Sequence, residues 1–476
     1  MPEQEHHQVD RRRFMAAAAA TGLFTVLPRR ILGGAGYRPP SETLNIAAVG
    51  CGGRGWSLLN NAGSWVKQGA KSEATEKSGE KVIEVDGLHV PGENIVALCD
   101  VDLKRARKAF ERWKKARKYR DFRVLLDKEK EIDAVLVATP DHTHAAAAMA
   151  AIERDKHVYV EKPMTHDIAE ARALTEAAAR RGVVTQMGNQ GHSGEGIRLM
   201  CEWLQAGAIG PVREVHCWTN RPVWPQGCKR PKEKMEVPPT LDWDLWLGPA
   251  PERPYHECYL PFDWRGWWDF GTGVMGDMGC HILDPVYAAL RLGYPEEISA
   301  TSTTFNRESP PIASIIRYAY PAREGMPPVK ITWWDGGLMP PRPEELEPGR
   351  RMGDGDGGCL FIGEKGKLMC GCYGRSPQLI PQAAMRAFQR PPRSLPRVKR
   401  VHRDGHMDSF LQAIKEGGRA SSDFAEAGPL TENILLANLA LLAGEPIRFD
   451  PEKMKVTNCE KANRWVQREY RKGWSL

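Results

Sequence analysis

Short apolar runs alternate with amphipathic stretches through the first part of the chain. Residues 44–49, 95–99, 134–138, 157–160 and 183–186 are apolar and bounded by turn-forming or charged residues, the pattern of strands buried on both faces. Between them, residues 56–62, 104–117, 144–152 and 168–181 carry helical periodicity. Strand and helix in regular alternation predict a doubly wound parallel α/β sheet over residues 41–188. An insertion at 61–93 interrupts it, and Asp86-Gly87 between short β-prone runs predicts a hairpin there. From residue 189 to 476 the texture changes to Trp-, Pro- and Gly-rich loops with short strands, and helices return near 407–416 and 430–442. This predicts a second α/β domain built on a mixed or antiparallel sheet.

The first turn carries candidate chemistry. Gly50, Gly52 and Gly55 stand as G-x-G-x-x-G between a strand and a helix, with Gly53 and Arg54 inside the turn. Gly50 permits the tight turn, Gly52 lets backbone approach a pyrophosphate, and Gly55 lets helix and strand pack closely, which predicts dinucleotide binding at the helix N-terminus. The second strand ends on Asp100, whose carboxylate accepts from ribose hydroxyls and repels the extra phosphate of NADP, so NAD is expected over NADP. The separation from the turn is 50 residues where about 20 is usual, so the insertion has to loop out.

Three further segments follow in order: Ala138-Thr139-Pro140-Asp141-His142-Thr143-His144, then Glu161-Lys162-Pro163, then Asp277-Met278-Gly279-Cys280-His281. With the glycine turn they cover about residues 44–290, and in this combination the chain resembles the Gfo/Idh/MocA oxidoreductases, the group of glucose-fructose oxidoreductase and inositol dehydrogenase. The resemblance implies a Rossmann domain followed by an α/β domain with an open, mostly antiparallel sheet that floors the substrate site and often joins copies into a homo-oligomer. It implies Thr139, Pro140, His142, His144, Glu161 and Lys162 at the cofactor crevice, a cis bond before Pro163, and Trp264 and Arg265 reaching the cofactor.

The residues themselves support a hydride-transfer site. On a helix, Asp277 and His281 are four apart and share a face, so the carboxylate is expected to orient the imidazole. Histidine suits removal of a proton from an alcohol while hydride leaves the same carbon, and Lys162 can stabilise the developing alkoxide. Lys162, Asp277 and His281 are therefore the candidate catalytic residues. A metal held by His142, His144 and His281 is the weaker alternative, and no metal is expected. Seven of the fifteen tryptophans fall between Trp218 and Trp268, and flat rings suit the apolar faces of a pyranose. Trp267 and Trp268, with Gln190 and His192, are the candidate substrate contacts.

Composition narrows the class. The formal net charge of +7 is spread along the chain, and its densest basic stretch, 104–123, reads as the wet face of a helix, so no nucleic-acid partner is expected. The odd count of 11 cysteines points to buried thiols rather than a disulfide framework. Residues 1–40 hold Arg11-Arg12-Arg13-Phe14-Met15 before an alanine-rich apolar run, which looks like a twin-arginine export signal and linker. That signal would engage the twin-arginine translocase and carry folded cargo to the periplasm or beyond. An exported enzyme has no ready supply of free NAD, so the cofactor is expected to be tightly bound.

The reading is an NAD-dependent oxidoreductase acting on a hydroxyl of a sugar, sugar derivative or cyclitol. An NAD-dependent glycoside hydrolase that recycles its cofactor within one cycle is the alternative, and a sugar-binding protein with a fossil cofactor site is a third.

Overall fold

The computed structural model describes residues 42–63, 92–400 and 404–476, so the candidate signal and the expected hairpin lie outside the described residues. Residues 44–63 and 93–476 form one compact unit, which is described here.

Its first layer is a parallel sheet of six strands: β1 (Asn45–Val49), β2 (Asn94–Cys99), β3 (Arg117–Tyr119), β4 (Ala134–Val137), β5 (His157–Val160) and β6 (Thr185–Met187), in the order β3-β2-β1-β4-β5-β6. Ile46, Ala47, Val135, Val137, Val158 and Val160 are sealed from water in the middle of this order, the burial that the continuous apolar runs call for. Five helices complete the layer: α1 (Gly53–Ala62), α2 (Leu103–Arg112), α3 (Phe122–Lys128), α4 (Asp141–Ile152) and α5 (Ile168–Arg181). α5 opens with a capping box between Asp167 and Glu170 and closes on Gly182 in the left-handed conformation, so both ends are written in the local sequence.

The basic stretch corrects one expectation. Instead of a helix over 104–117, α2 ends at Arg112, and 117–119 form the edge strand β3, paired parallel to Ala97–Cys99. Ala106 and Ala109 are the buried positions of α2. Beyond them, residues 117–119 take their backbone partners from the free edge of β2.

The second layer is a seven-stranded sheet in the order β13-β12-β11-β7-β10-β9-β8, with β7 (Val212–Thr219), β8 (Glu297–Ser302), β9 (Ser314–Tyr320), β10 (Val329–Trp334), β11 (Gly357–Gly363), β12 (Gly366–Gly371) and β13 (Gln378–Ile380). Only β7 and β10 run parallel. Side chains alternate between its faces. Cys217, Cys359, Phe361, Leu368 and Cys370 join the main core with α6 (Glu195–Gln205) and the later helices, whereas Trp218, Leu360 and Met369 on the other face pack under Leu346 and Met352. All 11 cysteines are free thiols, nine of them buried.

Candidate active site

A cavity of about 540 Å³ opens between the carboxyl ends of the parallel strands and the second domain, the place where open α/β sheets bind ligands. Its floor is the glycine turn. Gly50 has φ +85°, and a Cβ there would lie 2.5 Å from the Ala138 carbonyl oxygen. A Cβ at Gly55 would lie 1.9 Å from the Gly50 carbonyl oxygen, so α1 can approach the strand only without one. No side chain caps α1, which leaves its first N–H groups for an anion.

Asp100 lines the same end of the cavity. Its carboxylate accepts from the backbone N–H of Cys51 at 2.8 Å and of Asp102 at 2.9 Å, so it also fastens the turn. Burial pushes its carboxyl up to about 6 in spite of those bonds. The long separation in sequence closes simply: Gly63 and Glu93 form a bridge, with the Glu93 N–H donating to the Ala62 carbonyl at 2.9 Å, so the chain leaves after α1 and returns directly to β2.

At the other end of the cavity, β5 runs into Glu161 and Lys162, and the Lys162–Pro163 bond is cis. Arg54 Nε donates to Glu161 Oε1 at 2.7 Å. Lys162 Nζ donates to both the carboxylate Oδ1 and the carbonyl oxygen of Asp277, each at 2.7 Å. Arg265 Nε donates to the same Oδ1 at 3.2 Å while its guanidinium lies 4.2 Å from the Trp264 ring centre. Burial alone would raise the Asp277 carboxyl, but Lys162 and Arg265 outweigh it and hold it well below the usual carboxylate range. His281 lines the cavity with its Nδ1 sealed from water. Burial first, then Lys162, push the imidazole well below its ordinary value, so it is neutral at physiological pH.

The expected Asp277–His281 pair is corrected by this arrangement. Met275–Gly279 form a π-turn, and the α-helix α7 begins only at Cys280 and runs to Leu290. Asp277 still acts on His281 electrostatically, but its hydrogen bonds go to Lys162 and Arg265 and none joins it to the imidazole. His281 meets the ring of Tyr373, with centres 4.4 Å apart.

Thr139, Pro140 and His144 line the cavity, and both ring nitrogens of His144 face carbonyls, of Pro163 at 2.7 Å and Thr139 at 2.8 Å. His142 does not reach it. Fully buried, it sits against the carbonyls of Trp246 at 2.9 Å and Phe270 at 3.2 Å, and burial brings it down to about 3, so it is a neutral tie between the domains. Gln190 is on the cavity wall, whereas His192 lies off it, bonded to Asp284. Trp267 and Trp268 are also off the wall. Trp267 donates to the Cys258 carbonyl and packs on Tyr259 within an aromatic cluster with Trp243, Trp246 and Phe270, where its large face buries more area than at a cavity rim.

The sequence reading missed Tyr373, Arg221 and Phe262, which complete the wall. Tyr373 holds φ +64° between Gly371 and Gly374, and those flanking glycines were its only local signal. Among the described residues, no group of three or more His, Cys, Asp or Glu side chains is placed to hold a metal ion.

With this geometry in place, comparison with known proteins gives a consistent class. Residues 70–189 match the profile described as oxidoreductase family, NAD-binding Rossmann fold, and residues 212–314 match oxidoreductase family, C-terminal alpha/beta domain. Both profiles are those of the Gfo/Idh/MocA oxidoreductases, which the chain resembles over these two segments. Inositol 2-dehydrogenase of Salmonella paratyphi B is 29% identical over 129 residues, which are 27% of this chain and 38% of that one. Levoglucosan dehydrogenase of Pseudarthrobacter phenanthrenivorans is 25% identical over 191 residues, 40% of each chain. The chain thus spans about two fifths of the length of these relatives. Among solved structures, the WlbA dehydrogenase of Bordetella pertussis, in complex with NADH and UDP-GlcNAcA, superposes with a TM-score of 0.57 at 15% identity, over 86% of this chain and 99% of that one, a likeness of fold.

Proposed function

We propose that the protein is an NAD-dependent oxidoreductase that moves hydride between a secondary hydroxyl of a sugar, sugar derivative or cyclitol and the nicotinamide. The observation that carries this is the grouping of a clamped Lys162 ammonium and a neutral His281 on one cavity wall, facing the glycine turn. The residues present suit the dinucleotide: the turn that a Cβ at Gly50 or Gly55 would block, Asp100 at the strand end, and Thr139 and Pro140 beside them. NAD bound there supplies the hydride acceptor at C4 of its ring. Lys162 has three hydrogens to donate and gives two to Asp277, leaving one for the substrate oxygen, where its charge stabilises a developing alkoxide. His281, neutral, accepts the hydroxyl proton. Asp277, held ionised, fixes both cations and takes no proton itself. The inositol and levoglucosan dehydrogenases among the relatives support a sugar or cyclitol as substrate.

The same proposal extends to export as folded cargo through the twin-arginine pathway to the periplasm, with NAD tightly held and recycled, and to assembly as a homo-oligomer. It rests on Arg11-Arg12 before the alanine-rich run and on the family resemblance. The test of the reaction is the reduced-nicotinamide band at 340 nm when the purified protein, with its own nucleotide, meets a panel of sugars and cyclitols. His281→Ala is expected to lower its formation by about a hundredfold or more.

A further inference from the structure

Beside the imidazole of His281 lies a second buried polar group that the reaction as described does not use. The short 3-10 turn Gln190–Ser193 packs on α7, and His192 Nδ1 joins the two by donating to Asp284 Oδ1 at 2.7 Å. Four buried polar atoms here have no partner in the protein: His281 Nδ1, Asp284 Oδ2, Gln190 Oε1 and Asn189 Nδ2. Buried polar atoms are seldom left unpaired, and those that lack protein partners commonly share a water. Asn189 can donate, Gln190 and Asp284 accept, and an imidazole nitrogen does either, so between them they offer the donors and acceptors that a buried water requires. His281 and Asp284 stand one turn apart on the same helix face.

The chemistry needs such a partner. A proton taken by His281 makes an imidazolium that Lys162 and Arg54 both repel. Asp277 relieves it only in part, because its hydrogen bonds and most of its charge are taken up by Lys162 and Arg265. The other carboxylate on this helix is Asp284, 2% exposed and with one oxygen unused. Behind it the His192 side chain is 19% exposed, a way out to water.

Resting on the oxidoreductase reading above, we propose that Asp284 and His192 are the proton outlet of His281, reached from Nδ1 through an ordered water held by Asn189 and Gln190. Hydride leaves the alcohol carbon for C4 of NAD, which is reduced as the carbon is oxidised, and the hydroxyl proton goes to His281 Nε2. The Nδ1 proton then passes through the water to Asp284 Oδ2. Asp284 is neutralised by that proton, and His192, in its imidazolium form with Nδ1–H held on Asp284 Oδ1, releases its Nε2 proton to solvent, so one proton leaves per hydride moved. Asp284 raises the affinity of His192 for a proton against its burial, with Arg198 lowering it and Glu426 raising it, which suits a group that holds a proton in transit. His406, on the other side of the turn, bonds Ser193 Oγ at 2.6 Å and the Met187 carbonyl at 2.7 Å; burial brings it down to about 4, so it stays neutral beside the path.

The test needs no substrate in its first arm. Nitrogen-15 NMR of histidine-labelled protein reads which nitrogen of His281 carries the proton. The outlet requires the Nδ1–H form in the wild type and a shift toward Nε2–H in Asp284→Asn. An unchanged tautomer in Asp284→Asn overturns the proposal. If that variant does not fold, His192→Gln carries the second arm, in which the wild type, Asp284→Asn and His192→Gln are mixed rapidly with myo-inositol or levoglucosan. At least about a tenfold fall in the rate of hydride transfer is expected, with KM unchanged and with rate partly restored by added imidazole. Wild-type rates in both variants would contradict the outlet alone, whereas full activity of His281→Ala would contradict the oxidoreductase reading on which it rests.

Discussion

Asp100 does two jobs with one carboxylate: it fastens the glycine turn through the N–H of Cys51 and it faces the part of the cavity suited to a ribose. Because burial raises its carboxyl to about 6, the unliganded protein carries it protonated below that pH and ionised above. Ribose hydroxyls bind the ionised form as donors. NAD is therefore expected to bind about tenfold more tightly at pH 7 than at pH 5, one unit below the midpoint. Asp100→Asn should flatten that dependence, as titration calorimetry would read. A flat profile in the wild type would remove Asp100 from cofactor binding. At this scale the sequence identified Asp100, Lys162, Asp277 and His281 because each stands at a strand end or in a short ordered segment. Their partners were not legible. Lys162 meets Asp277 across 115 positions, and which group claims a carboxylate depends on a backbone turn that residue spacing does not reveal.

Among the elements, the parallel strands were legible because burial on both faces demands uninterrupted apolar runs, and the glycine turn because only glycine tolerates its contacts. Gly55→Ala is expected to destabilise the protein by about 1–3 kcal/mol and to abolish nucleotide retention, since its Cβ would meet the Gly50 carbonyl oxygen at 1.9 Å. Gly293→Ala, with nothing within 4 Å, should leave both unchanged. Thermal unfolding and nucleotide release measure the pair. Less legible were elements whose identity depends on neighbours. The basic helix stops short because β2 offers an edge to residues 117–119, and the helix carrying His281 begins with a π-turn. The tryptophans before that helix misled for the same reason: an aromatic ring serves a cavity wall or a core equally well until the fold decides.

In the whole molecule, the last residues of the chain return to the first domain. The Trp474 ring lies 5.9 Å from Phe122, Arg123 Nη1 donates to the Gly473 carbonyl at 3.4 Å, and Arg468 bonds Glu170 on α5. Residues 468–474 thus help to cover the first domain. Replacing Arg11 and Arg12 by lysine should leave the protein inside the cell with its nucleotide bound, as fractionation and nucleotide analysis would show. Undiminished export of that variant would contradict the twin-arginine route.

The central claim is hydride transfer at the wall where Lys162 and His281 meet, and absorbance at 340 nm reads it most directly. Purified protein retaining its own nucleotide, mixed with sugars and cyclitols, is predicted to develop the reduced-nicotinamide band with at least one of them, and His281→Ala with the same nucleotide bound is predicted to lose it. Bound nucleotide whose absorbance no sugar or cyclitol changes would contradict the account.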